Sequence, residues 1–273
     1  MAIAHRATGA ALFSAATMAP VVATAQLTGD MCLLIASVKP FDAGWSVAGW
    51  TALGEFSPGS TAAGVDVGSM RSQVWWIEAT SDTEANPSLV EGSPVWNVAG
   101  GIVMVFSKGA GEAWDAPLFV GGGDDDNGTG VSFTCDSNPG IETGDHCVSF
   151  IGVGSDLSQP CSSHCTPTAT GVVFTNTHDP ATDPETTTGG DMGMCITRST
   201  VSGTASAAPV IAATLAAAGR TAGGLIRLRS HINVVDQTPT PDAIAAPAVM
   251  PAPAIVAQHI PGPIIVMAPR VAP

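Results

Sequence analysis

The feature that most constrains this chain is that it repeats itself, in order. Thr28-Gly29-Asp30-Met31-Cys32-Leu33-Leu34-Ile35 returns as Thr143-Gly144-Asp145-His146-Cys147-Val148-Ser149-Phe150. Ala99-Gly100-Gly101-Ile102-Val103-Met104-Val105-Phe106 returns as Ala222-Gly223-Gly224-Leu225-Ile226-Arg227-Leu228-Arg229. Between these anchors, Val74-Trp75-Trp76-Ile77 lines up with Gly193-Met194-Cys195-Ile196, and Asn86-Pro87-Ser88-Leu89-Val90 with Ala208-Pro209-Val210-Ile211-Ala212. Matches that keep their order predict one supersecondary pattern used twice. The spacing is far longer than the roughly 20–50 residues of a solenoid repeat.

Each half reads as six short runs rich in Val, Ile, Thr and aromatics, bounded by Gly, Asp, Asn and Pro. In the first half the predicted strands are Ala2–Thr8, Met31–Ser37, Trp50–Phe56, Ser72–Glu78, Ser88–Glu91 and Gly101–Ser107. In the second they are Val131–Cys135, Cys147–Val153, Gly171–Asn176, Met194–Arg198, Pro209–Leu215 and Gly224–Arg229. The Ala-rich run Ala207–Gly219 could pass for a helix, but its match to the Asn86–Trp96 region predicts strand. Open twisted sheets rarely exceed about ten strands. Twelve therefore predict two packed antiparallel sheets, an all-β sandwich or jelly roll over residues 1–230 with pseudo-repeat halves 1–118 and 128–230. Two tandem six-stranded domains are the alternative. Gly121 to Gly130 is the one linker-like stretch between the halves.

Composition changes after Ser230. Nine of the 21 prolines lie between Pro239 and Pro273, and Pro251-Ala252-Pro253-Ala254-Ile255-Val256 resembles Pro261-Gly262-Pro263-Ile264-Ile265-Val266. Each proline removes a ladder donor, so residues 231–273 read as an extended arm rather than a central strand. Disordered tails are polar. This one carries Ile255, Val256, Ile260, Ile264, Ile265 and Val266, and is expected to bury them against a neighbouring subunit.

Nine Lys plus Arg against 23 Asp plus Glu give a formal charge of −14, which disfavours nucleic acid and anionic membranes as partners. No uninterrupted apolar run reaches the roughly 20 residues of a membrane-spanning helix. Met1 to Arg6 followed by the apolar Ala7–Ala25, ending in Ala23-Thr24-Ala25, mimics a secretory signal. The preferred reading is an opening strand.

Six cysteines sit at positions 32, 135, 147, 161, 165 and 195. Cys32, Cys147 and Cys195 lie in apolar runs, where a thiol packs as a small hydrophobe. Reduced thiols are expected, with Cys161 and Cys165 the exception. Three sets of residues invite a chemical reading. Asp124, Asp125 and Asp126 follow three glycines and look like a cation loop, yet consecutive carboxylates cannot all face one ion; a solvated boundary loop is the plainer expectation. Cys161, His164, Cys165, His146, His178 and Asp179 could supply soft ligands, but Cys161-x-x-x-Cys165 lacks a second spaced pair. Trp75 and Trp76 are neighbours on one strand and must face opposite ways, so one belongs to the core and the other to an interface or a sugar platform. No His-Glu-x-x-His, Gly-x-Ser-x-Gly or phosphate loop occurs. No catalytic residue and no cofactor are expected.

The opening strand, Gly29-Asp30 before Met31–Ile35, Gly49-Trp50-Thr51-Ala52-Leu53-Gly54, Val74-Trp75-Trp76, Val105-Phe106-Ser107-Lys108-Gly109-Ala110-Gly111 and Trp114-Asp115 together resemble β-rich virion proteins of tailed bacteriophages. The resemblance spans residues 1 to 229. It implies a non-enzymatic tail, fibre or capsid-surface component, assembled in the host bacterial cytoplasm as a homo-oligomer, with trimers common in such appendages, and contacting other virion proteins. A module binding carbohydrate or a host receptor is the alternative; a secreted bacterial β-sandwich with a cleaved signal peptide is the second.

Overall fold

The computed structural model describes residues 3–14, 17–39, 45–58, 70–92, 96–154, 161–178, 185–186 and 192–232, with the side chains of Asn127, Cys161, Ser162, Glu185 and Thr186 outside that description. Their strands, in chain order, are β1 (Ala4–Thr8), β2 (Leu12–Ser14), β3 (Met31–Lys39), β4 (Trp45–Val47), β5 (Thr51–Phe56), β6 (Arg71–Glu78), β7 (Leu89–Glu91), β8 (Val98–Ser107) and β9 (Glu112–Trp114). The series continues with β10 (Leu118–Thr134), β11 (His146–Gly154), β12 (Cys161–Thr168), β13 (Val172–His178), β14 (Glu185–Thr186), β15 (Met192–Gly203), β16 (Val210–Leu228) and β17 (Ser230–Ile232). The described residues contain no helix, and the sheets are antiparallel, which establishes the all-β class.

A run that is apolar at successive positions must bury both faces of its strand. Every residue of β3 and β11 is buried, and so is all of β8 but its last. These strands stand at the middle of two sheets. One has the order β1-β8-β3-β6-β5, with β2 also on β8; the other has the order β10-β16-β11-β15-β13. Each sheet thus sets the first and last of its five strands side by side, then the second, fourth and third. The ladder rungs correspond as well. Leu33 sits between Met104 and Trp76, and Val148 between Ile226 and Arg198.

Burial on both faces divides the interior into three apolar layers. Met31, Leu33, Ile35, Val74, Ile102, Met104 and Phe106 of the first sheet meet Val148, Phe150, Met194, Ile196, Ile226 and Leu228 of the second in a shared central layer. The outer face of the first sheet, with Cys32, Leu34, Trp75 and Val103, is covered by the β4–β7 pair and Met18, which bridges Leu89. The outer face of the second, with Cys147, Ile151, Cys195 and Leu225, is covered by β12, the first part of β16 and Val131 and Phe133 of β10. One polar bridge crosses the central layer: Ser37 and Ser72 hydroxyls lie 2.7 Å apart, and Ser72 Oγ donates to the Ala222 carbonyl at 2.6 Å. Gly152 makes this approach possible, since a Cβ there would come within 2.3 Å of Ser37 Oγ.

Several expectations are corrected. Gly121–Gly130 is part of β10, not a linker or a loop; Gly121 to Asp124 pair with Gly224 to Thr221. The glycines admit close neighbours, because a Cβ on Gly121 would strike the Phe56 ring and one on Gly123 the Thr221 carbonyl. Pro209–Leu215 and Gly224–Arg229 belong to one strand, β16, whose first part joins the cover and whose second part joins the sheet. Two of the sequence matches are out of register. The rungs place Met104 opposite the role of Ile226 rather than Arg227, and Val74 opposite that of Ile196 rather than Gly193. Odd slips like these would turn every side chain to the wrong face. The compact unit runs to Asn233 rather than Ser230, because β17 pairs with β9; Val234–Pro273, including the arm residues Ile255, Val256, Ile260, Ile264, Ile265 and Val266, lies outside the described residues.

The two Thr-Gly-Asp segments form matching corners. Gly29 and Gly144 adopt φ of 84° and 95°, a region that favours glycine. Asp30 accepts the Leu27 N–H at 2.8 Å, and Asp145 the Glu142 N–H at 2.9 Å. Each carboxylate is almost fully buried and held by an arginine, Asp30 by Arg6 at 2.6 Å and Asp145 by Arg229 at 2.7 Å. Removing one partner of such a pair leaves the other charge and the turn amide uncompensated. Asp145→Ala and Asp30→Ala are each expected to lower the free energy of unfolding in urea by about 3 kcal/mol, whereas exposed Asp126→Ala should change it by less than about 0.5 kcal/mol.

Candidate functional site

Two shallow grooves open on the described surface. One, of about 490 Å³, is lined by Thr134, Thr168, Thr170, Ala207, Ala208 and Val210. The other, of about 310 Å³, runs between Ala7–Ala10 and Val21–Ala25. Neither lining contains a carboxylate, an imidazole or a thiol, so neither offers a general acid, base or soft ligand.

The acidic triplet is engaged by its own strand. Asp124 Oδ1 accepts the Asp126 N–H at 3.0 Å, and the Asp124 N–H is donated to Thr221 Oγ1. Asp125 pairs with Arg220 at 3.2 Å, and its carbonyl accepts from the same guanidinium. The ladder is irregular between Asp124 and Gly130. Asp124, Asp125 and Asp126 therefore do not converge on one point. Among the described residues, no group of three or more His, Cys, Asp or Glu is placed to hold a metal ion.

The cysteines are packing residues. Cys32, Cys135, Cys147, Cys165 and Cys195 are free and buried. Cys161 and Cys165 lie in strand β12 rather than in an exposed loop, and Cys165 turns into the core, its thiol 3.1 Å from the Cys195 carbonyl. Burial pushes the Cys32 and Cys135 thiols up to about 12, helped by Asp30 and Asp136 respectively, and raises Cys147 further still. Such thiols are neutral and unreactive at neutral pH. A thiol-reactive dye is expected to label at most Cys161 in the native chain within minutes, and all six cysteines in denaturant; rapid native labelling of two or more would contradict this packing.

The tryptophans divide as their alternation requires. Trp75 is 3 % exposed on the outer face of the first sheet, with Trp45 edge-on at 5.3 Å, and Trp45 meets Trp96 at 6.2 Å. Trp75 therefore presents no ring face to a sugar. Trp76 is partly buried against the central layer. Trp114 donates its indole N–H to the Gly29 carbonyl at 2.9 Å and lies beneath Lys108.

Two histidine arrangements were not visible as arrangements in the sequence. His164 on β12 and His178 at the end of β13 stack with ring centroids 3.1 Å apart and planes at 20°. His146 fills the position that Met31 occupies in the other half, edge-on to Phe106 at 5.2 Å, with neither ring nitrogen hydrogen-bonded. Burial, then the charges of Arg198 and His5, lower it from 6.5 to about 4. The folded state thus resists a proton that the unfolded state accepts. The stability is whole above pH 6.5 and falls as pH drops toward 4, by at most about 3 kcal/mol. His146→Met is expected to flatten the thermal midpoint between those pH values; an unchanged pH profile would contradict the assignment.

Comparison with protein families, curated proteins and solved structures finds no match to this chain.

Proposed function

We propose that this chain is a non-enzymatic structural component of a phage virion, a tail, fibre or capsid-surface protein built from a duplicated jelly-roll unit. It assembles with copies of itself and with other virion proteins, through its sheet faces and the apolar arm beyond residue 233. The observation that carries this reading is the repeated winding. Within the first half, eight segments follow in order: β1 with β2, Met18, β3, β4, β5, β6, β7 and β8. The first, eighth, third and sixth lie side by side in the sheet, and the second, seventh and fourth in its cover. The second half repeats this with the two parts of β10, then β11, β12, β13, β15 and the two parts of β16. The fifth segments, β5 and β13, stay in the sheets beside β6 and β15; the order of the other seven supports the reading as a jelly roll, an architecture that serves capsids, lectins and cupins.

Fold alone does not choose among those. The neutral, buried thiols fit a packed scaffold. Of the two carbohydrate candidates, Trp75 and Trp76, the first is buried, which favours the structural reading over a sugar platform. The acidic surface keeps the scaffold off nucleic acid.

The test is the solution mass by light scattering of the full chain beside a chain ending at Asn233, a cut that spares the β17–β9 pair. An oligomeric full chain and a monomeric shortened one, with the same near-ultraviolet dichroism, are expected. Two monomers would sink assembly through the arm.

A further inference from the structure

We propose that β13 is an assembly edge, which pairs antiparallel with the β13 of a second copy of this chain about a twofold axis through Thr175. The inference rests on the self-assembly proposed above and names a surface for it. A sheet edge offers unpaired backbone groups to any strand that meets it, and folded proteins blunt their edges with charges and irregular ladders. The two sheets end in β1, β5, β10 and β13. β1 carries Arg6 at a register shift between His5 and Ala7. β5 carries Glu55 beside a shift between Ala52 and Gly54. β10 carries Asp124, Asp125 and Asp126 at its own shift. β13 has neither device: its seven residues include no Asp, Glu, Lys or Arg, and they pair with β15 without a shift.

The ladder shows which groups the edge presents. Thr204 N–H donates to the Gly171 carbonyl at 3.1 Å, whereas Gly203 N–H turns away to Thr143 Oγ1 at 2.8 Å. The Val201 carbonyl also faces away from β13, accepting the Gly144 N–H at 3.2 Å. Hydrogen-bonded and non-bonded rungs alternate in an antiparallel pair. Phe174 opposite Val201 and Asn176 opposite Ser199 are therefore non-bonded rungs, and their N–H and C=O groups point out of the sheet edge. Among the described residues β13 pairs with β15 and, through the Ala169–Val172 bridge, with its own turn. In the twofold pair, Phe174 of each copy exchanges hydrogen bonds with Asn176 of the other. Thr175 then faces its own copy and Val173 faces Thr177, pairs of β-branched side chains that suit a ladder. Val173 is 65 % exposed without that contact. A second copy is the partner because the strand is complementary to itself and uncharged, on a chain whose charge of −14 opposes self-contact elsewhere. One added strand pair lies below the roughly 1,200 Å² of a stable interface, so it forms between copies that the arm already holds together.

The test is disulfide trapping in the full chain with diamide as oxidant, read on non-reducing gels against the wild type. Opposed residues of a non-bonded rung stand about 4.5 Å apart at Cα, within the span of a disulfide. Thr175→Cys is expected to give about fivefold or more covalent dimer over Thr177→Cys, whose two copies would lie four residues out of register, roughly 14 Å apart. Val173→Cys and Thr177→Cys chains should cross-link when mixed and not when oxidised separately. Equal trapping of Thr175→Cys and Thr177→Cys would overturn the proposal, and so would a mixture that fails to cross-link. Light scattering keeps the two readings apart. A trapped Thr175→Cys dimer from a chain of monomeric mass sinks assembly through the arm and keeps the edge; an oligomeric chain without trapping keeps the arm and sinks the edge.

Discussion

The need of β3 and β11 to bury both faces governs the rest of the structure. A strand apolar at every position cannot border water on either side. Each sheet therefore requires a cover, and each requires the other sheet. The central layer serves both halves at once, with Met31, Leu33 and Ile35 on one side and Val148 and Phe150 on the other. The covers are thin and made from what lies between the main strands: the paired three-residue strands β4 and β7 with Met18 in the first half, longer runs of β10, β12 and β16 in the second. This division explains why β10 and β16 are long. Each passes from its cover into its sheet with the other as partner strand, across an irregular stretch of ladder between Asp124 and Gly130.

Stacking of this kind leaves little room for polar groups, and those inside are matched locally. Asp30 and Asp145 tie a corner amide and an arginine to the start of a buried strand. Ser37 and Ser72 carry one hydrogen bond from sheet to sheet. Arg227, on the outer side of β16, donates to the Pro139 and Gly140 carbonyls. His146 has no hydrogen bond at either nitrogen, and the indole N–H groups of Trp45 and Trp96 are likewise unmatched; the histidine occupies a place that a methionine fills on the opposite sheet.

Much of the sheet framework was legible in the chain. Runs such as Met31–Ile35, Ile102–Phe106 and Cys147–Val153 are almost wholly apolar, and they became central strands. The short covering and edge strands β2, β4, β9, β14 and β17 have two or three residues each and carry no period to read. β12 is rich in Ser, Thr and Cys, with only its inward side packed, so it read as a loop. The glycines of β10 looked like a linker because sequence does not say whether a missing side chain serves freedom or close approach. The register of the matched strands was illegible for a related reason. When both faces are buried, alternation disappears, and alternation is what fixes register. Of the candidate ligands, His164 and His178 were visible singly, but their pairing depends on an irregular ladder that no local pattern encodes.

The shared central layer has a consequence for biosynthesis. A ribosome releases chains at about 5–20 residues per second, amino-terminal part first. β8 completes the first sheet before any strand of the second exists, so the inner face of that sheet waits, apolar and uncovered, for the time needed to make residues 118 to 228. For a span of seconds the nascent protein presents the same kind of surface that a subunit offers before it meets its mate. The second half then acts as an intramolecular chaperone for the first, and its late arrival sets the window in which the growing chain is open to aggregation.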